Sequence, residues 1–162
     1  MGVLSGGLRE LDLSDNSLTG EVYLRRLPAS MEKFKLSKNW LTGSLQFDEL
    51  PPALDKLELS YNRFDGTVTL TSLPKRLTVL YLHVNALTGA IDITKIPQTL
   101  RELTLSGNRF TGQVVFTRLP DSLWNLAVSN NPQLEGTFRP RNSKERRIVQ
   151  AVHTKVEIQP AE

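Results

Sequence analysis

A solenoid of short stacked coils with parallel strands is the fold this sequence predicts, on three observations. The stretch LRELDLSDNSLTG at residues 8–20 recurs with its first position at Leu8, Met31, Leu54, Leu77, Leu100 and Leu123, a constant period of 23 residues. A unit that short cannot bury an apolar face alone and must stack on its neighbours. Within each unit the apolar residues fall at positions 1, 4 and 6, and a second alternating stretch follows the glycine at position 13. The alternation has a period of two, so both sides of the coil are expected to be extended or 3₁₀-like, without a regular α-helix. The third observation is the closing dipeptide, Leu-Pro or Ile-Pro, as in Leu27-Pro28 and Ile96-Pro97. Proline fixes φ and withholds a donor where the chain turns back.

Taken in order, residues 1–7 are Gly-rich and too short for a unit, so they read as a lead-in or the stub of a truncated repeat. Residues 8–138 are six repeats, and identical strands one period apart stack in parallel. Position 9 is Asn in every copy: Asn16, Asn39, Asn62, Asn85, Asn108 and Asn131. A turn in the interior leaves backbone groups without partners, and an amide can both donate and accept, so this ladder reads as structural. Position 11 is Leu or Phe and points inward; position 13 is Gly, suited to positive φ or close coil-to-coil approach. The sixth copy gains a residue, with Pro132 and Gln133 ahead of Leu134. Residues 139–162 hold a basic loop, RPRNSKERR, and then IVQAVHTKVEI. Ile148, Val152, Val156 and Ile158 are expected on one side of an extended strand that caps the open end.

The repeat LxxLxLSxNxLTG resembles the leucine-rich repeat, and the following GxVxLxxLPxS resembles the 23-residue variant abundant in kinetoplastid protists. Its first half is similar to the plant-type repeat with LTGxIP. The resemblance covers about four-fifths of the chain. It implies a leucine-rich-repeat solenoid of the α/β horseshoe class, mostly β here, with an extended or 3₁₀ convex side. It further implies a right-handed coil, a concave parallel sheet of about six strands, and a family that mostly binds proteins.

Composition narrows the function. The formal charge is +3, yet residues 1–138 hold 14 Lys+Arg against 14 Asp+Glu, while the tail holds 6 against 3. The array is neutral, so a phosphate-binding stripe is not expected outside the tail. Cysteine is absent, which excludes disulfides and thiolate metal sites. His83 and His153 stand alone, and no metal, phosphate-loop or nucleophile motif occurs, so no cofactor and no enzymatic activity are expected. The adjacent Asp48 and Glu49 read as solvated loop residues. The chain has no signal-peptide pattern, no membrane-spanning run and no Asn-x-Ser/Thr site, which together favour an intracellular, cytoplasmic protein, monomeric or weakly self-associating.

Binding on the concave side is the leading expectation. Positions 2, 3, 5, 7, 8 and 10 are read as facing outward there. The fourth copy departs from the charged and small polar residues of the others, with Val79, Tyr81, His83 and Val84, and Tyr61 lies one strand away. An apolar and aromatic centre beside charges has the character of a protein-binding hot spot. Those five residues are therefore expected as anchors for a protein or peptide, with Lys35, Lys38, Glu58, Arg63 and Trp40 around them and Trp124 at the flank. Two alternatives stand beside this. One is an assembly part of a ribonucleoprotein or larger complex, in which Arg139, Arg141, Lys144, Arg146 and Arg147 contact phosphate or acidic partners. The other is a structural fragment of a longer repeat protein.

Overall fold

The computed structural model describes residues 6–116, 119–141, 145 and 148–160. The strands follow the repeat: β1 (Glu10–Asp12), β2 (Thr19–Glu21), β3 (Lys33–Lys35), β4 (Trp40–Ser44), β5 (Lys56–Glu58), β6 (Arg63–Asp65), β7 (Val79–Tyr81) and β8 (Thr88–Gly89). They continue with β9 (Glu102–Thr104), β10 (Arg109–Val115), β11 (Asn125–Ala127), β12 (Gln133–Phe138), β13 (Val149–Gln150) and β14 (Lys155–Ile158). One 3₁₀ turn, Leu24–Arg26, lies on the far side of the first coil.

The main sheet has the order β1-β3-β5-β7-β9-β11-β13, every pair parallel and in the register of the repeat, as in Leu57 opposite Leu80 opposite Leu103. A second sheet runs along the side, in two pieces: β2-β4-β6 and β14-β12-β10-β8. Between the pieces Thr67 pairs with Thr88, and Ala86 N–H and Thr88 N–H donate to Phe64 O and Gly66 O, both at 2.8 Å. The inward columns form one continuous core. Phe34, Leu57, Leu80, Leu103 and Leu126 at position 4 are fully buried, as are Phe64, Leu87 and Phe110 at position 11. Leu8, Leu11, Leu13 and Leu18 are only partly buried, because among the described residues no coil stacks on the outer side of the first.

Two backbone features make the coils repeat. Position 8 is left-handed in every coil, with φ of 55° at Asp15, 56° at Lys38, 53° at Tyr61, 56° at Val84, 65° at Gly107 and 56° at Asn130. That turn ends the main strand and redirects the chain into the second sheet. Position 13 is also left-handed, and at Gly89 (φ 82°) an added Cβ would stand 2.7 Å from the Thr67 methyl of the preceding coil, so only glycine fits. The position 9 amides close the interior of the turn. Asn108 donates to Leu82 O and Leu105 O, both at 3.0 Å, and accepts from Leu87 N at 3.1 Å. From Asn39 onward each asparagine thus serves the coil before its own as well as its own.

The run 148–158 is divided, where one extended strand was expected. β13 pairs with β11 and β14 with β12, with a left-handed His153 between them, so it forms an abbreviated seventh coil. Thr154 takes the asparagine's place and donates only to Ala151 O within its own coil (2.6 Å). The sidedness differs accordingly: Val149 is buried, while Val152 sits at position 7 and is 64% exposed.

Candidate functional site

The outward face of the main sheet carries two distinct regions. On coils 1 and 2 the charges are matched across the strands. Lys33 meets Glu10 at 2.6 Å, Lys38 meets Asp15 at 3.0 Å, and Lys35 lies between Asp12 (3.8 Å) and Glu58 (3.5 Å). Opposite charges one period apart in sequence become direct neighbours, which lowers the free charge of this half. Lys56 alone in this group has no carboxylate within ion-pair distance among the described residues.

Coils 3 and 4 build the aromatic region. The Tyr61 ring meets the His83 ring edge-on, centroids 5.1 Å apart, and Tyr81 meets His83 at 5.9 Å, also edge-on. Tyr61 is 47% and Val84 42% exposed. Tyr81 is half-buried, and its hydroxyl donates to Glu102 Oε2 at 2.6 Å. Burial and that carboxylate acceptor together hold its phenol well above the ordinary range, so it stays a neutral donor. His83 Nδ1 is 2.8 Å from Thr104 Oγ1. Burial lowers the His83 pKa below its ordinary value, which keeps the ring neutral near pH 7. The cluster is therefore aromatic, uncharged and fixed from below by two hydrogen bonds.

Three expected residues are not part of this exposed cluster. Val79 is 7% exposed, flanked on the neighbouring strands by Lys56 and Glu102, so it supports the sheet and offers no contact area. Trp40 and Arg63 are not on the main sheet. Position 10 follows the left-handed turn and begins β4 and β6 of the second sheet, where the Arg63 guanidinium stacks over the Trp40 ring at 4.4 Å. Asp48 and Glu49, with Glu21, Tyr23 and Arg25, line a surface hollow of about 260 Å³ beside that sheet, a feature that positions 14–19 of the repeat gave no reason to expect. Trp124 is 59% exposed at position 2 of coil 6.

In the tail, Arg141 is committed within the chain. Its guanidinium bonds Glu145 through Nη2 (3.0 Å) and Nε (3.1 Å) and approaches Asp121 at 3.5 Å, while its main-chain N–H donates to the same glutamate. Arg139 is exposed. Lys144, Arg146 and Arg147 lie outside the described residues. Among the described residues, no group of His, Asp and Glu is arranged to hold a metal, and no helix is long and apolar enough to cross a membrane.

Comparison with known proteins agrees with the geometry. No curated protein matches the sequence. The chain is similar to the leucine-rich-repeat ectodomain of the receptor kinase SOBIR1 from Arabidopsis thaliana, at 30% identity over 78% of this chain and 71% of that one, with a TM-score of 0.70. It is similar to the Arabidopsis receptor kinase HAESA, solved with the peptide hormone IDA and the co-receptor SERK1, at 28% identity and a TM-score of 0.69. That likeness covers 94% of this chain, which spans about a quarter (26%) of the HAESA chain. Pollen receptor kinase 3 gives 25% identity over 94% of this chain and 76% of its own, with a TM-score of 0.69. The Leucine Rich Repeat profile matches residues 7–24 and 99–126. With period, inward columns, asparagine ladder and SOBIR1 likeness in agreement, the chain belongs to the leucine-rich repeat family.

Proposed function

We propose that the chain is a non-catalytic recognition module that holds a protein or peptide on the outward, concave face of its main sheet. The observation that carries this is the Tyr61–Tyr81–His83–Val84 cluster. It is an aromatic, neutral cluster beside the charge-paired residues of coils 1 and 2 and next to Thr104, Ser106, Ala127 and Ser129 of coils 5 and 6. Tyr81 and His83 are held by hydrogen bonds and Tyr61 packs on His83, so the cluster loses little freedom on binding and offers the Tyr61 ring as apolar area, which suits a hot spot. HAESA, a relative in fold at 28% identity, was solved with a peptide hormone, and this supports the same class of ligand here. The intramolecular engagement of Arg141 counts against a phosphate site in the tail.

The test is selection of a displayed random-peptide library on the immobilised chain, followed by titration of the recovered peptides against two variants. Tyr61→Asn removes the exposed ring while keeping a residue at ease with positive φ. It should weaken binding about tenfold or more. Thr111→Lys alters the exposed face of the second sheet and should leave affinity unchanged. Loss on Thr111→Lys with none on Tyr61→Asn would place recognition on the second sheet and refute the concave reading.

A further inference from the structure

Away from the main sheet, the repeat sets Arg25 of the first coil one period from Asp48 of the second, and Arg26 one period from Glu49. Opposite charges so placed pair elsewhere in this chain. Lys33 reaches Glu10 at 2.6 Å, Lys38 reaches Asp15 at 3.0 Å, and Arg9 reaches Glu32 at 3.2 Å, each across 23 residues. Here the charges stay apart. Arg25, Asp48 and Glu49 take part in no ion pair among the described residues, and all three line the hollow of about 260 Å³. The backbone differs at this point: Leu24–Arg26 is a 3₁₀ turn, whereas the matching residues 47–49 of coil 2 are not.

The rest of the hollow is formed by fixed groups. Its apolar lining is Val22 and Leu24, both members of the core. Tyr23 adds an aromatic wall, 45% exposed. Its hydroxyl donates to Glu21 Oε2 at 2.9 Å, and Arg26, which does not line the hollow, stacks over the ring at 4.9 Å. Glu21 is held from below as well, since its stem fills the space over Gly43, where an added Cβ would stand 2.8 Å from Glu21 Cγ. Ser44 and Gln46 bring side chains that have no protein partner among the described residues.

Charge then selects the occupant. Three carboxylates, Glu21, Asp48 and Glu49, share the hollow with one guanidinium, Arg25, so the complement carries two cationic groups and one carboxylate. A free basic amino acid has that make-up, together with an aliphatic stem that can lie along Leu24 and the Tyr23 ring. Pockets for drug-sized ligands begin at about 300 Å³, so this smaller space suits a molecule of amino-acid size.

We propose that the hollow binds a free basic amino acid, lysine or arginine. Its carboxylate meets Arg25, and its two cationic groups are divided between Glu21 and the pair Asp48 and Glu49. The site lies off the concave face and does not depend on the reading given for that face.

The probe is L-lysine, titrated by calorimetry into the full chain at low salt, where exposed charges are least screened. Saturable binding with a Kd of about 1 mM or tighter is expected. Cadaverine, which lacks the carboxylate, and L-norleucine, which lacks the side-chain cation, should each bind about tenfold or more weakly. Arg25→Gln should weaken L-lysine about tenfold and leave cadaverine as it was, whereas Asp48→Asn should weaken both. Both positions are exposed, so neither variant should move the unfolding midpoint by more than about 2 °C. Tyr61→Asn should leave L-lysine binding unchanged. Absence of saturation by about 20 mM L-lysine would overturn the site. So would cadaverine binding as tightly as L-lysine, which is attraction for any cation, or an affinity unmoved by both Arg25→Gln and Asp48→Asn. Nα-acetyl-L-lysine binding as tightly as L-lysine would overturn the free amino acid as occupant and give the hollow to the C-terminal lysine of another chain.

Discussion

Replacing Asn108 by alanine should destabilise the array far more than the same change at Asn16, although both residues hold position 9. Asn108 is buried and bonds the N–H of Leu87, the carbonyls of Leu82 and Leu105 and, at 3.4 Å, that of Ser106, which also accepts from Val84 N. The carbonyls keep a second amide, since Leu82 O also accepts from Asn85 Nδ2 and Leu105 O from Asn131 Nδ2. No such reserve exists for the Leu87 N–H, which is left unpaired in the interior. An orphaned buried donor costs about 1–3 kcal/mol and each lost bond about 1 kcal/mol, so Asn108→Ala should cost about 3–5 kcal/mol. Asn16 serves no earlier coil among the described residues. Its amide donates only to Leu13 O and Ser14 O, both in exposed surroundings where water can substitute, so Asn16→Ala should cost under about 1 kcal/mol. Urea titration followed by circular dichroism gives both values by linear extrapolation, and unchanged slopes would show that the two variants unfold through the same transition. Equal losses would refute the backward direction of the ladder and with it the account of what closes each coil.

Two further outcomes follow from packing and titration. Leu80→Ala empties a fully buried site in the middle of the core and should cost about 2–5 kcal/mol, against under about 0.5 kcal/mol for Lys56→Ala, which has no ion-pair partner among the described residues; comparable losses in denaturation would contradict the inward register. His83 has a folded-state pKa below its unfolded value because burial disfavours the imidazolium. The unfolded chain therefore binds the proton first, and stability is full above about pH 6.5 and falls as pH drops through 6.5 toward the depressed folded pKa. His83→Gln should flatten that part of the urea-midpoint profile between pH 7.5 and 5.5, and an unaltered slope would show that the ring is not the group responsible.

The repeat itself was legible in the chain because its physics is local and recurrent. A 23-residue period, apolar residues at 1, 4, 6 and 11, and a glycine at 13 require stacked parallel coils whichever partner the protein has. The same pattern pointed to the fourth coil, since Tyr81, His83 and Val84 interrupt columns that are otherwise polar. What it could not express is any effect that depends on where the chain turns or on what stands one coil away. Val79 and Val84 are equivalent as residues, yet one is covered between Lys56 and Glu102 and the other is turned to solvent by a left-handed backbone. Trp40 and Arg63 leave the main sheet because that same turn precedes them and restarts the alternation in a second plane. That Lys33, Lys35 and Lys38 each stand beside a carboxylate is likewise set by stacking. The residue types and their period thus determined the coil by themselves. Only the tertiary structure decided which side chains remain free to meet a partner, because exposure and charge pairing are properties of neighbouring coils, set by contacts 23 residues apart.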